Sequence, residues 1–156
     1  MPDTKLFIGR YDLAEFPELN LKKIQVKIDT GAYTSSFHCH TIRLINTGGK
    51  EKLQCYFLDP GHVQYNNKEF IFDCFSLKKV RSSNGVLEER YSIQTTICLF
   101  EKVIPLELTL TERENMRFPV LLGRKFLSRR FVVDSSKKNL SARGIARLAR
   151  FVKETK

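Results

Sequence analysis

The residues with the clearest capacity for chemistry sit in "IQVKIDTGAYTSSFHCH", Ile24 to His40, where an alternating apolar run delivers Asp29 into Thr30-Gly31. Ile24, Val26 and Ile28 fall on one face of an extended segment, so Asp29 emerges on the other face where the segment ends. Gly31 removes a Cβ where another chain or a substrate would approach. Thr30 adds a hydroxyl able to lock a turn or bond a neighbouring backbone. A plain Asx turn closing a hairpin accounts for the same three residues without any function. A second stretch, "ENMRFPVLLGRKFL", runs Val120, Leu121 and Leu122 into Gly123-Arg124. An apolar strand ended by glycine would cross behind the Asp29 turn at close range.

Other chemistries are poorly served. Ser35, Ser36 and His38 follow Asp29, but no Gly-x-Ser-x-Gly elbow accompanies them. There is no His-Glu-x-x-His, and the one histidine cluster is His38-Cys39-His40, with His62 far off. In an extended segment His38 and His40 share a face and offer two imidazoles, which is not a complete metal site. No metal is therefore expected, His38 and His40 being the weak candidates. "NTGGKEK" has Leu44 where a phosphate-binding loop needs its first glycine, and Glu51 after Lys50, so no nucleotide or other cofactor is expected.

The elements that must position Asp29 read as strands: "LFIGR", "KKIQVKID", "TIRLI", "KLQCYFL", "KEFIFDCFSL", "SIQTTICLF", "VIPLELTL", "FPVLLG" and "RFVVD". Thr47-Gly48-Gly49, Asp59-Pro60-Gly61, Asn66-Asn67 and Asn84-Gly85 separate them as turns. A short helix is expected after Gly123. A second is expected from Ser141, as N-cap, to Val152, with Ile145, Leu148, Ala149 and Val152 on one face. The 156 residues predict one mainly β domain with a basic helical tail over about 141–156. No apolar run is long enough for a membrane helix, and the start "MPDTKLFIGR" lacks a signal-peptide layout, which predicts a cytoplasmic protein without membrane contact. Cys39, Cys55, Cys74 and Cys98 form no Cys-x-x-Cys pair and read as buried free thiols. The net charge of +10 is unevenly spread: 16 Lys and Arg against 15 Asp and Glu up to Gly123, then 11 against 2 from Arg124 onwards. Such a block attracts nucleic acid, an anionic surface or an acidic protein segment, or merely solvates a face.

Asp29-Thr30-Gly31-Ala32, followed after several hairpins by Leu121-Leu122-Gly123-Arg124 and a short helix, resembles the retropepsins, the single-lobed aspartic proteases. The wider words "KIDTGAYTSSFH", "VRSSNG" and "LTLTERENMRFPVLLGR", with Glu89-Arg90, are similar to a narrower microbial family labelled ATP-dependent zinc protease. Some of its members are associated with the ATP-grasp ligase that adds glutamates to a ribosomal protein. The likeness spans about Ile8 to Asp134. It implies a closed β-barrel lobe in which Asp29, Thr30 and Gly31 are catalytic, supported by Ala32, His38, Leu122, Gly123 and Arg124. Only one Asp-Thr-Gly is present. Peptide hydrolysis by this route needs a general base and a general acid, so the resemblance implies a homodimer that pairs two copies of Asp29. Ala32 has no side-chain donor for the ionised carboxylate, so activity is expected nearer neutral pH than in pepsin-like lobes.

The flap implied by the resemblance is Arg81 to Leu87, around Ser82, Ser83, Asn84 and Gly85. Arg81 and Arg90 would then border the cleft and pair with substrate carboxylates. With the basic tail and the glutamate-ligase association, this points to a protein or peptide substrate rich in Glu. A second reading is a non-catalytic module that docks or regulates a glutamate ligase or a ribosomal partner, or binds nucleic acid through the tail. A zinc-dependent peptidase is the third.

Overall fold

The computed structural model describes residues 4–81, 84–112 and 117–149. The strands are β1 (Lys5–Ile8), β2 (Tyr11–Phe16), β3 (Leu21–Ile28), β4 (Ser35–Thr47), β5 (Lys50–Phe57), β6 (Phe70–Phe72), β7 (Ser76–Arg81), β8 (Leu87–Leu99), β9 (Lys102–Thr111), β10 (Val120–Leu122), β11 (Phe131–Val133) and β12 (Leu148–Ala149). A 3-10 turn, Pro17–Leu19, follows β2, and an α-helix, α1 (Arg124–Leu127), the one α-helix among the described residues, follows β10. The chain is mainly β, as expected.

The larger sheet runs β10-β3-β2-β8-β9-β4-β5-β6, with β7 paired to β8. A further pairing of β10 with β4 joins β10, β3, β2, β8, β9 and β4 into a ring. Period-two alternation fills its interior: Ile24, Val26 and Ile28 of β3 are buried while Gln25 and Lys27 face water. Phe37 sits at the centre. Its ring meets Phe16 edge-on at 5.0 Å and Phe57 at 4.9 Å, and Phe57 meets Phe70 at 5.5 Å. Glycines Gly48, Gly49 and Gly85 take positive φ in the turns expected of them.

Three features depart from the sequence reading: one strand that it did not include and two expectations that are corrected. β2 is a strand that pairs antiparallel with β3, although "YDLAEF" carries two carboxylates. Asp12 is fully buried on its inward face with Ala14 and Phe16. Second, "KEFIFDCFSL" bends at Asp73-Cys74 and divides into β6 and β7, leaving Cys74 exposed and Cys98 half-buried, whereas Cys39 and Cys55 are buried.

Third, the described part of the segment expected to be the C-terminal helix is a turn and a strand. Asp12 accepts the backbone N–H groups of Ser141 at 2.9 Å and Ala142 at 3.0 Å, and Ser141 Oγ accepts from Phe100 N at 2.8 Å instead of capping a helix. The turn ends at Gly144, whose φ of 69° is left-handed. β12 then pairs with β1, in a small sheet ordered β11-β1-β12, and Leu148 is 59% exposed. Residues 150–156 of the expected tail lie outside the described residues. Among the described residues no helix is long and apolar enough to cross a membrane.

Candidate active site

β3 carries Asp29 to its end, and β10 fixes the turn that follows. β10 pairs parallel with β3, Leu122 opposite Ile28, and antiparallel with β4, Leu121 opposite Ser36. The Asp29 N–H donates to Leu122 O at 2.9 Å, and Asp29 Oδ1 accepts the Gly31 N–H at 3.0 Å. Arg124 N donates to Ala32 O at 2.8 Å, and Arg124 Nη1 to Thr30 O at 3.0 Å. Asp29 is half-buried, and Thr30 and Gly31 are exposed. Around Gly31 a Cβ would meet only the Asp29 carboxylate, at 3.3 Å, so space above the loop is open. Gly123 is the opposite case: a Cβ there would stand 2.5 Å from Thr34 O and 2.7 Å from Tyr33 O. Glycine at this point is what lets β10 pass behind the Asp29 loop.

Asp29 opens onto a cleft of about 610 Å³. Its walls include Lys79, Val80 and Arg81 of β7, Arg90 of β8, Ser36, Thr111, Leu121 and Arg124. The β7–β8 hairpin therefore overhangs the site, with Arg81 paired to Leu87 at its outer end. Arg81 Nη1 donates to Gly85 O at 3.2 Å across the tip. Arg90 donates through Nε and Nη2 to Glu88 Oε2, at 3.2 and 3.0 Å. Arg81, Arg90 and Arg124 are thus brought together with Asp29, while Asn84 and Gly85 form the tip and do not line the cleft. Ser82 and Ser83 lie outside the described residues.

A family model described as retropepsin-like aspartic endopeptidase RimB matches residues 7–144, nearly the whole chain. The chain belongs to the RimB-like family. RimB-like sequence also occurs inside longer proteins. The "Probable alpha-L-glutamate ligase" of Shewanella halifaxensis (strain HAW-EB4) is 37% identical over 140 residues, covering 87% of this chain and 30% of that protein. The protein of the same name from Desulfotalea psychrophila (strain LSv54 / DSM 12343) is 31% identical over 135 residues, 84% of this chain and 28% of its own length. The chain thus spans about three-tenths of the curated relatives it matches. A crystal structure of a Legionella pneumophila protein of unknown function superposes with a TM-score of 0.66 at 24% identity, over 86% of this chain and 97% of that one. That likeness is one of fold.

The histidines of this RimB-like chain do not converge on a metal. His38 is buried, and its Nε2–H donates to Asp59 Oδ1 at 2.7 Å. Its backbone spans the fold, N–H to Pro119 O at 2.8 Å and O from Leu58 N at 3.0 Å, so it braces the entry of β10. His40 is turned to Tyr65 Oη at 2.8 Å and Thr41 Oγ1 at 2.9 Å, because a bulge between Cys39 and Thr41 breaks the alternation. Among the described residues no three His, Cys, Asp or Glu side chains form a metal-binding group. The donor set does not fit a zinc centre.

Sequence reasoning missed Ser35 as a support for the RimB-like site. Its Oγ accepts the buried Gly123 N–H at 3.0 Å, and its carbonyl accepts from Thr109 Oγ1 at 3.1 Å. Ser35 therefore pins β10 at the point where Gly123 slips past Thr34. The available signal was a serine at the start of a strand next to the loop, which only the fold connects to Gly123. Ser35→Ala is expected to leave that N–H without an acceptor and cost about 1–2 kcal/mol. A urea titration with unchanged slope and a lowered midpoint would register it. Tyr33, Thr34 and Thr111 are likewise cleft residues to which the sequence reading gave no role, although they lie within "KIDTGAYTSSFH" and "LTLTERENMRFPVLLGR".

Proposed function

We propose that this chain is an aspartic endopeptidase working as a homodimer on acidic, glutamate-rich segments. The observation that carries the reading is a single carboxylate, Asp29, held at the floor of a cleft whose walls bring Lys79, Arg81, Arg90 and Arg124. Four cations line the cleft, of which Arg90 is already paired with Glu88, and the positive charge that remains favours a substrate with negative side chains, which a guanidinium matches bidentately.

One carboxylate cannot act as base and acid together. A second copy of the chain, related by a two-fold axis, supplies the other Asp29. The open space over Gly31 and the exposed Thr30 hydroxyl support this, since the partner's loop can approach there. In the dimer one Asp29, as carboxylate, takes a proton from a water as it attacks the peptide carbonyl. The other, as acid, gives its proton to the carbonyl oxygen, forming a tetrahedral diol. Collapse of the diol breaks the C–N bond, with a proton passed to the leaving amine, and the pair returns to its singly protonated form. The β7–β8 hairpin closes over the peptide.

The names of the longer relatives fit this substrate. A ligase for α-L-glutamate makes acidic peptide linkages, and a peptidase covering part of such a protein would act on the same kind of chain. The same observation favours a second reading, a non-catalytic module that docks a glutamate ligase. The test is mass-spectrometric analysis of a mixed peptide pool, enriched in Glu-rich members, incubated between about pH 4 and pH 8. Endoproteolytic products concentrated among the acidic peptides are expected. No products from folded, dimeric protein would favour docking.

A further inference from the structure

The cationic surface continues past Arg124. A second concavity, of about 550 Å³, is lined by Tyr33, Arg124, Lys125, Ser128, Arg129 and Arg130. Four of these six side chains are cationic and none is a carboxylate. All six are exposed. Tyr33 and Arg124 also line the cleft, so the two hollows share a wall.

A basic face that serves only solubility needs no fixed geometry, and this one has it. Arg124 is tethered by its bond to Thr30 O, and its guanidinium lies 5.8 Å from the centre of the Tyr33 ring. Arg130 donates Nη1 to Phe126 O at 3.0 Å and lies 5.4 Å from the Phe126 ring centre. Both guanidiniums are held by carbonyls and rings, so their positive charges are placed without being neutralised. Lys125 meets Glu107 at 3.2 Å. Arg129 makes no side-chain bond among the described residues, and it stands at a φ of 70° where the chain turns from α1 into β11. Two oriented guanidiniums, a third without a partner and an ammonium thus surround one hollow. This arrangement suits several carboxylates in succession more than a single small anion.

We propose that this groove is an exosite that binds acidic side chains of the substrate lying outside the residues seated over Asp29. The inference rests on the endopeptidase reading for the word substrate, and on the groove alone for the binding of an acidic peptide. Continuity decides between a peptide and a nucleic acid: a chain leaving the cleft crosses Tyr33 and Arg124 and enters the groove without a break. In a two-fold dimer each copy contributes one groove, so an acidic peptide is held at both ends while its middle is cut. Discrimination for acidic sequences then arises from binding over a long stretch rather than from the two residues flanking the cleaved bond.

The test uses the full chain carrying Asp29→Asn, which keeps the probe intact, and a fluorescent hexaglutamate whose binding is followed by polarisation. Arg129→Glu reverses the one groove cation that supports no other part of the fold. It is expected to weaken hexaglutamate about tenfold or more with the thermal midpoint unchanged, and added salt should weaken the parent steeply. Hexaglutamate bound equally by Arg129→Glu and its parent, with Arg81→Glu alone weakening it, would overturn the exosite and leave acidic binding to the cleft. An RNA oligonucleotide bound more tightly than hexaglutamate, with the loss in Arg129→Glu confined to RNA, would overturn the peptide assignment. Absence of peptide cleavage by the wild-type chain would overturn the endopeptidase reading without touching the binding result, so the two failures are distinguishable.

Discussion

Replacing Asp29 with Asn is expected to lower peptide cleavage by about 10³-fold or more while leaving the fold intact. In the proposed dimer, where each copy supplies one of them, the amide removes both the base and the acid. It preserves what Asp29 does structurally, because an Asn Oδ1 can still accept the Gly31 N–H, and the Asp29 N–H to Leu122 O bond belongs to the backbone. Arg124 is anchored on Thr30 O and not on the Asp29 carboxylate, so no ion pair is broken. Turnover of an acidic peptide, thermal unfolding and sedimentation of wild type and mutant together check the prediction. Retained cleavage would place the chemistry elsewhere, whereas lost cleavage with an unchanged thermal midpoint would assign it to the carboxylate.

Gly123→Ala is expected to destabilise the chain by about 3 kcal/mol, through overpacking. The backbone at Gly123 has a φ of −95°, which any residue adopts, so conformation is not the cause. The cause is space. A Cβ would stand against two backbone carbonyls, Thr34 O and Tyr33 O, neither of which has a rotamer through which to yield. β10 cannot move aside freely, since it is paired to β3 on one edge and β4 on the other, and Gly123 N is bonded to Ser35 Oγ. Any shift therefore pulls on the Asp29 loop. The measurement is a urea titration alongside an activity assay: the midpoint should fall, and activity should fall further than the folded fraction explains. A midpoint equal to wild type would show that β10 and the Asp29 loop are more loosely apposed than described.

The apolar-Gly-Arg word was legible because close approach of two backbones leaves a mark in residue type. The strand carrying Asp29 was legible through its period-two pattern, and the turns through Gly48, Gly49 and Gly85. β2 was not, because its inward face carries Asp12, a charge-bearing residue that reads as surface until its backbone partners at Leu13, Ser141 and Ala142 are seen. Burial raises the Asp12 carboxyl above its ordinary value even against those three bonds. The same contact explains the misread C-terminus. "SARGIARLAR" has a helical face, but Asp12 and Phe100 bind Ser141 and Ala142 from distant strands, and Gly144 ends the turn. Local propensity was overridden by tertiary bonds. In the site, Asp29, Gly123 and the cations Arg81, Arg90 and Arg124 were legible through motif and resemblance, whereas Ser35, Lys79 and the groove cations Lys125, Arg129 and Arg130 acquire meaning only when β4, β7 and α1 are brought side by side.

Subunit mixing tests most directly the claim that two copies of Asp29 share one reaction. Wild-type chains are co-refolded with equal amounts of Asp29→Asn chains, and cleavage of an acidic peptide is measured per wild-type chain. With one carboxylate drawn from each copy, only like pairs of wild type are active, so turnover per wild-type chain falls to about half and continues to fall as mutant is added. Turnover per wild-type chain that stays constant at every ratio would mean that a single copy suffices, and would contradict the shared site.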